Sequence, residues 1–333
     1  MKALLRFILS ALTVLLPAAC VDTEEYSDDA FGNFEALWTI MDEHYCFFNE
    51  KGIDWDSVHA VYAKQVNNGM TQVQLFEVMG NMLGELKDGH VNLTASFDMA
   101  RNWSWKDDYL VNYIDTLYRL YIGTDYLIAG SLRYRVLDDN IGYIRCESFE
   151  NTLSSTSVSN ALAYLMPCNG LIIDLRNNSG GKLSSAETFA AHFTNEERLV
   201  GYMQHKTGTG HNDFSEPEEQ RLKPASGTRW QKGVAVLTNR SVYSAANEFV
   251  KYMKCCPQVV IVGDKTGGGA GMPFSSELPN GWSVRFSACP MYDCNMESTE
   301  NGIEPDYDVS LNNTDLRKKK DTIIEYARKL LHD

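Results

Sequence analysis

From residue 141 to residue 264, short apolar runs alternate with stretches of helical spacing, and this alternation constrains the fold more than any other feature of the chain. The runs read IGYIRC (141–146), GLIIDLR (170–176), GVAVLTN (233–239) and QVVIVGD (258–264), with WSVRFSA (282–288) after them. Helical patterns fall near 154–166, 183–193 and 244–254. Apolar strands separated by helices need both sheet faces covered, so the sequence predicts a layered α/β protein.

The N-terminal part follows a different period. Phe34, Leu37, Trp38, Met41 and Tyr45 recur at helical spacing, and Val58, Val61, Tyr62 and Val66 form a second stripe after Asp54 and Trp55. Thr71 and Gln74 spell a capping box ahead of a third stripe, Leu75, Met79, Met82, Leu83 and Leu86. The organisation predicted is a signal peptide (1–19), an acidic tether (20–30), a helical subdomain (31–93) and a segment of short strands and loops (94–136). An α/β core (137–315) and a C-terminal helix (316–333) complete it, with 205–229 as a surface loop.

Lys2 and Arg6 precede an apolar run too short to span a bilayer, which is the pattern of a secretory signal. The run ends in Leu-Pro-Ala-Ala-Cys, which resembles the bacterial lipoprotein box and makes Cys20 the lipidated first residue of a cell-envelope protein. Pro17 stands where that box usually has leucine, so cleavage after Ala19 to give a free secreted protein stays open. Seven cysteines follow Cys20, an odd number whose pairing spacing cannot set, and Cys289 with Cys294, Cys255 or Cys256 are candidates. No C-x-x-C pair occurs and His205 and His211 lack helical ligand spacing, so no metal is expected. With 44 acidic against 30 basic residues the net charge of −14 repels phosphate backbones, which argues against a nucleic-acid partner.

Three places carry residues suited to chemistry. After GLIIDLR comes Asn177-Asn178-Ser179-Gly180-Gly181, either a turn needing positive φ or a set of backbone N–H donors for an oxyanion. After GVAVLTN, Ser244 falls at the first turn of the next helix, either as a helix cap or as an exposed nucleophile with the Ala245 N–H beside it. His90 directly follows the third helix in Asp88-Gly89-His90, where it is either structural or a base.

Together these pieces resemble the C-terminal-processing (tail-specific) protease family of serine peptidases, which includes the tricorn core and the interphotoreceptor retinoid-binding repeats. D-G-H, D-L-R-N-N-S-G-G, T-N-R-S-V-Y-S-A-A-N-E-F, G-D-K-T-G-G-G-A-G (263–271) and G-I-E-P-D (302–306) stand in the family's order. The resemblance spans about residues 31 to 312 and implies a crotonase/Clp-protease-like α/β core behind a small helical subdomain, acting on protein or peptide substrates without a cofactor. It makes Ser244 the nucleophile and Ala245 with Gly180 or Gly181 the oxyanion donors. Gly269 replaces the lysine of the Ser-Lys enzymes and Asn247 their glutamate, so the implied base is His90, as in the tricorn-like branch. Gly89 replaces the serine that precedes the tricorn histidine, so one member of that relay has no match. The acidic partner implied is Glu300, with Glu304 second, both near the G-I-E-P-D motif, and Glu248 a poorer third. The stretch between Leu93 and Ile141 is too short for a complete PDZ domain. A non-catalytic peptide- or ligand-binding protein with the same fold is the rival expectation.

Overall fold

The computed structural model describes residues 26–332, with Asp108 left out. The signal segment, Cys20 and the first part of the acidic tether lie outside the described residues. Helix α1 (Ala30–His44) opens on Asp29, whose carboxylate accepts the Gly32 N–H at 2.8 Å. Three helices follow: α2 (Phe48–Lys51), α3 (Trp55–Tyr62) and α4 (Gln72–Gly84). The capping box at the start of α4 forms as its sequence dictates, with both reciprocal bonds between Thr71 and Gln74 present.

Strands β1 (Asn92–Thr94) and β2 (Met99–Arg101) come next, then α5 (Asp115–Ile122), β3 (Leu127–Ala129) and β4 (Leu132–Val136). The alternating part runs β5 (Ile141–Cys146), α6 (Ser155–Leu165), β6 (Gly170–Asp174), α7 (Leu183–Ala190), β7 (Arg198–Met203), β8 (Glu218–Leu222) and β9 (Val234–Thr238). It continues with α8 (Ala245–Lys254), β10 (Val259–Gly263), β11 (Gly271–Glu277), β12 (Ser283–Tyr292), β13 (Tyr307–Asp308), α9 (Asn313–Arg317) and α10 (Thr322–His332).

A seven-stranded sheet has the order β13-β10-β9-β6-β5-β4-β3, parallel from β13 to β5 and antiparallel beyond. Its central strands β5, β6 and β9 are buried at every position, which is why their sequences are near-continuous apolar runs rather than alternating, with Arg145, Asp174 and Thr238 as buried polar exceptions towards their carboxyl ends. A second sheet has the order β2-β1-β12-β7-β8, with β11 paired to β12. The apolar stripes of α1 and α4 pack against this second sheet. Phe34, Leu37, Met79 and Met82 share one core with Leu93, Trp282, Val284 and Phe286. The N-terminal helices are therefore closed over by a hairpin that arrives some two hundred residues later in the chain.

The α/β expectation with a helical N-terminal region holds. Three local readings are corrected. Segment 94–136 contains α5, whose start at Ile114 has no side-chain cap and so gave no entry signal. Strand β8 lies within 205–229, and the expected single C-terminal helix is split into α9 and α10 at Lys319, which has φ 57°. The seven described cysteines are free thiols.

Candidate active site

Strands β6 and β9 are parallel neighbours, so the loops that leave their carboxyl ends open on the same edge of the sheet. Ser244 sits where the β9 loop enters α8, with φ 56° and ψ −126°. A non-glycine residue pays roughly 1–3 kcal/mol for such a backbone, and only surrounding structure can hold it there. The Ser244 N–H donates to Gly268 O at 2.8 Å and the Tyr243 N–H to Asn178 O at 3.1 Å, which fixes the bend between two loops. The hydroxyl makes no capping bond. It lies 2.9 Å from His90 Nε2, so the cap reading of Ser244 gives way to that of a half-buried hydroxyl that lines the cleft.

The Asn177–Gly181 turn backs onto this bend. Gly180 has φ 100°, and a Cβ built there would stand 2.6 Å from Tyr243 O and 2.9 Å from Ala245 N. Its own N–H is engaged by Asn178 Oδ1 at 2.9 Å. The N–H groups of Gly181 and Ala245 have no acceptor among the described residues. Ser244, His90, Gly181 and Ser179 line one cleft of about 790 Å³ together with Tyr243 and Arg285. An imidazole nitrogen this close to a hydroxyl can take its proton as the oxygen attacks a carbonyl, and N–H donors next to it suit a developing oxyanion.

His90 is held by its own motif. Asp88 Oδ1 accepts the His90 N–H at 2.8 Å, and Asp88 Oδ2 accepts from Ser287 Oγ at 2.9 Å and from Tyr45 OH at 3.1 Å. The ring has no carboxylate on Nδ1, which is buried without a partner among the described residues. Burial pushes His90 down to about 4; Asp88 pulls it up, and the charges of Arg285 and Lys51 push it further down. At neutral pH the imidazole is uncharged and able to accept a proton.

Glu300 does not reach His90. Its carboxylate binds Lys51 Nζ at 2.9 Å and accepts the Ala270 N–H at 2.8 Å. Burial and the charge of Asp88 outweigh the Lys51 ion pair and push Glu300 up to about 8, whereas Asp88, next to Lys51 and supplied with four donors, is held below the usual carboxylate range. A carboxyl raised in the folded state takes up more protons than in the unfolded chain, so it removes stability as pH rises between about 4.5 and 8. Glu300→Gln abolishes that contribution. The melting temperature of the variant, relative to the parent, is expected to climb from pH 5 to pH 8; parallel profiles would refute the assignment.

Glu304 is corrected as the second choice of acid: it is 72% exposed and pairs with Lys265 at 2.8 Å on the surface. Lys265 is thereby placed outside the cleft as well. At Gly269, the position of the absent dyad lysine, φ is 80° and a Cβ would stand 2.4 Å from the Tyr243 ring. Tyr243 occupies the space a side chain from that position would need. Asn247 accepts from Thr266 Oγ1 at 2.6 Å and donates to Thr299 O at 3.3 Å, a neutral tie between two loops.

Residues 140–309 match the model of peptidase family S41, about half of the chain. The chain belongs to peptidase family S41. Residues 27–84 match the tricorn protease C1 domain, which covers the helices that precede the site. A crystal structure of a candidate peptidase from Parabacteroides merdae is 50% identical and superposes with a TM-score of 0.87, covering 92% of this chain and 97% of that one. The carboxy-terminal processing protease CtpA of Bacillus subtilis (strain 168) is 25% identical over 195 residues, 58% of this chain and 40% of that protein. Mature CPAF shares the fold, with a TM-score of 0.68 at 13% identity over 91% of this chain and 96% of that one. The chain spans about half the length, or less, of the curated relatives it matches.

In this S41 chain the residues that sequence reasoning missed are those behind the histidine: Lys51, Tyr45, Tyr243 and Ser287, with Asp88 quoted in the motif but given no role. Asp88 carried a usable signal, since an Asp two residues before a turn residue commonly accepts its N–H. Lys51 and Ser287 carried none.

Proposed function

We propose that this chain is an exported serine peptidase. Ser244 Oγ attacks the carbonyl carbon of a peptide bond, and His90 Nε2 takes the hydroxyl proton and passes it to the leaving amine. The acyl-enzyme on Ser244 is then hydrolysed by a water that His90 deprotonates in the same way. The Ala245 and Gly181 N–H groups hold the oxyanion in both steps, while Gly180 shapes the bend rather than donating. Asp88 fixes the His90 backbone and stabilises the imidazolium by its charge. Protein or peptide substrates reach the site without a cofactor, and a lipid on Cys20 tethers the enzyme to the cell envelope.

The observation that carries this reading is the 2.9 Å approach of Ser244 Oγ to His90 Nε2 in the wall of an open cleft. The unpartnered His90 Nδ1 favours the second reading, a peptide-binding protein that keeps the fold without the chemistry. Treatment with a serine-directed fluorophosphonate separates the two. The expected result is an adduct on the Ser244 peptide that disappears when the protein is heat-denatured first. An unmodified Ser244 at saturating probe, in a protein that still binds peptides, would decide for the binding protein.

A further inference from the structure

We propose that the cleft selects substrates that carry a carboxylate close to the scissile bond, and that Arg285 is the residue that holds it. This rests on the serine-peptidase reading of the same cleft.

Arg285 lies on β12 between Ser275 of β11 and Asn92 of β1, and all three line the cleft. The next cross-strand row towards the hairpin places Ser283 beside Thr94, again in the cleft wall, so this sheet face is polar where its other face is core. Two residues further along β12, Ser287 donates to Asp88 beneath His90. Arg285 is therefore about one strand repeat from the hydrogen-bond network of the base.

The guanidinium has no hydrogen-bond or ion-pair partner among the described residues. Acidic residues outnumber basic ones by 44 to 30, so carboxylate partners for arginine are plentiful in this chain. Arg133, Arg176, Arg198, Arg221 and Arg328 each reach a carboxylate at 2.9 Å or less. Glu150, the acidic residue of the cleft lining, belongs to the opposite wall beside Gly181 and makes no ion pair with Arg285. Lys106 adds a second cation to the cleft and sits 5.7 Å from the Trp103 ring centre.

A guanidinium offers a planar pair of donors that fits a carboxylate at two points. Its charge also bears on catalysis. Arg285 disfavours the protonated form of the buried His90, which is the form generated when Ser244 loses its proton. A substrate carboxylate seated on Arg285 neutralises that charge while the reaction proceeds, so binding and rate both gain.

The test uses alanine-based peptides in which one position at a time is Glu or Gln, and in which the last residue ends in a free carboxylate or an amide. Wild-type protein is expected to favour one Glu peptide over its Gln partner, or the acid over the amide, by about ten-fold or more in kcat/KM. Arg285→Ala should reduce that ratio to within about two-fold, and Arg285→Lys should keep part of it. A Glu preference identifies a side-chain carboxylate as the group held, and an acid-over-amide preference identifies the chain terminus. Equal turnover of every pair by the wild type, or a ratio unchanged in Arg285→Ala, overturns the proposal. Fluorophosphonate labelling and binding of the same peptides to Ser244→Ala protein are measured in parallel. A labelled Ser244 without carboxylate preference sinks this inference alone. An unlabelled Ser244 without hydrolysis sinks the peptidase reading, and the Glu-to-Gln and acid-to-amide binding ratios then decide Arg285 separately.

Discussion

Ser244→Ala lowers kcat/KM by about 10⁴-fold or more and leaves the protein folded. The loss is large because among the described residues no other hydroxyl contacts His90 Nε2, and because the oxyanion donors have nothing to stabilise until a nucleophile adds. Stability changes little for three separate reasons. The serine side chain caps nothing, alanine meets the same backbone strain at φ 56°, and the one hydrogen bond removed is worth about 1 kcal/mol. That corresponds to a few degrees of melting temperature at most in a chain of this size. Steady-state hydrolysis of a peptide library and a thermal melt on one preparation check both halves. Residual turnover above about a tenth of wild type would take Ser244 out of the nucleophile role.

His90→Ala loses about 10³-fold or more, and the pH profile of the parent enzyme identifies the base independently of any variant. A base must be neutral to act, so the acid limb of kcat/KM follows the imidazole. An ordinary histidine, which is what the sequence suggests, would place that limb between about pH 6 and 7. Burial moves His90 down to about 4, so the limb is expected near pH 4 and the profile level from about pH 5 to 8. The groups that set this value are Asp88, which opposes the shift, and Arg285 and Lys51, which add to it. Asp88→Asn should therefore move the limb lower still while reducing kcat. Lys265→Ala is the control and retains most activity, since Lys265 is bound to exposed Glu304 outside the cleft. Were Lys265→Ala inactive, His90→Ala active and the rate still rising above pH 9, a displaced Ser-Lys dyad would replace this assignment.

The regions that sequence reasoning read well are those in which the determining interactions are short-range. The Thr71–Gln74 capping box closes within one helical turn, and the buried central strands announce themselves because burial on both faces makes them near-continuous apolar runs, with the polar exceptions Asp174 and Thr238 at their carboxyl ends. Segment 94–136 was harder for the converse reason: α5 lacks a cap, and β3 ends the sheet as an exposed edge, so neither carries a clear period. The two cleft-facing motifs were visible as motifs, but each admitted a bland reading. Serine is a common helix cap, and paired glycines are common in turns.

By itself the sequence determined the α/β layering, the helical N-terminal region and the shortlist that holds Ser244, His90 and the glycine pair. Only the tertiary structure decided how they are placed. Ser244 and His90 are 154 residues apart, and nothing local dictates a 2.9 Å approach. Lys51 from α2, Asp88 after α4 and Glu300 after β12 form one buried charge cluster, so Glu300 became a partner of lysine instead of histidine. Gly269 and Tyr243 compete for one volume, which excludes a lysine from the place the resemblance would put it. Secondary structure follows from hydrogen bonds and burial periods a few residues long, whereas a site depends on which distant side chains packing leaves beside one another, and that is fixed only when the whole core closes.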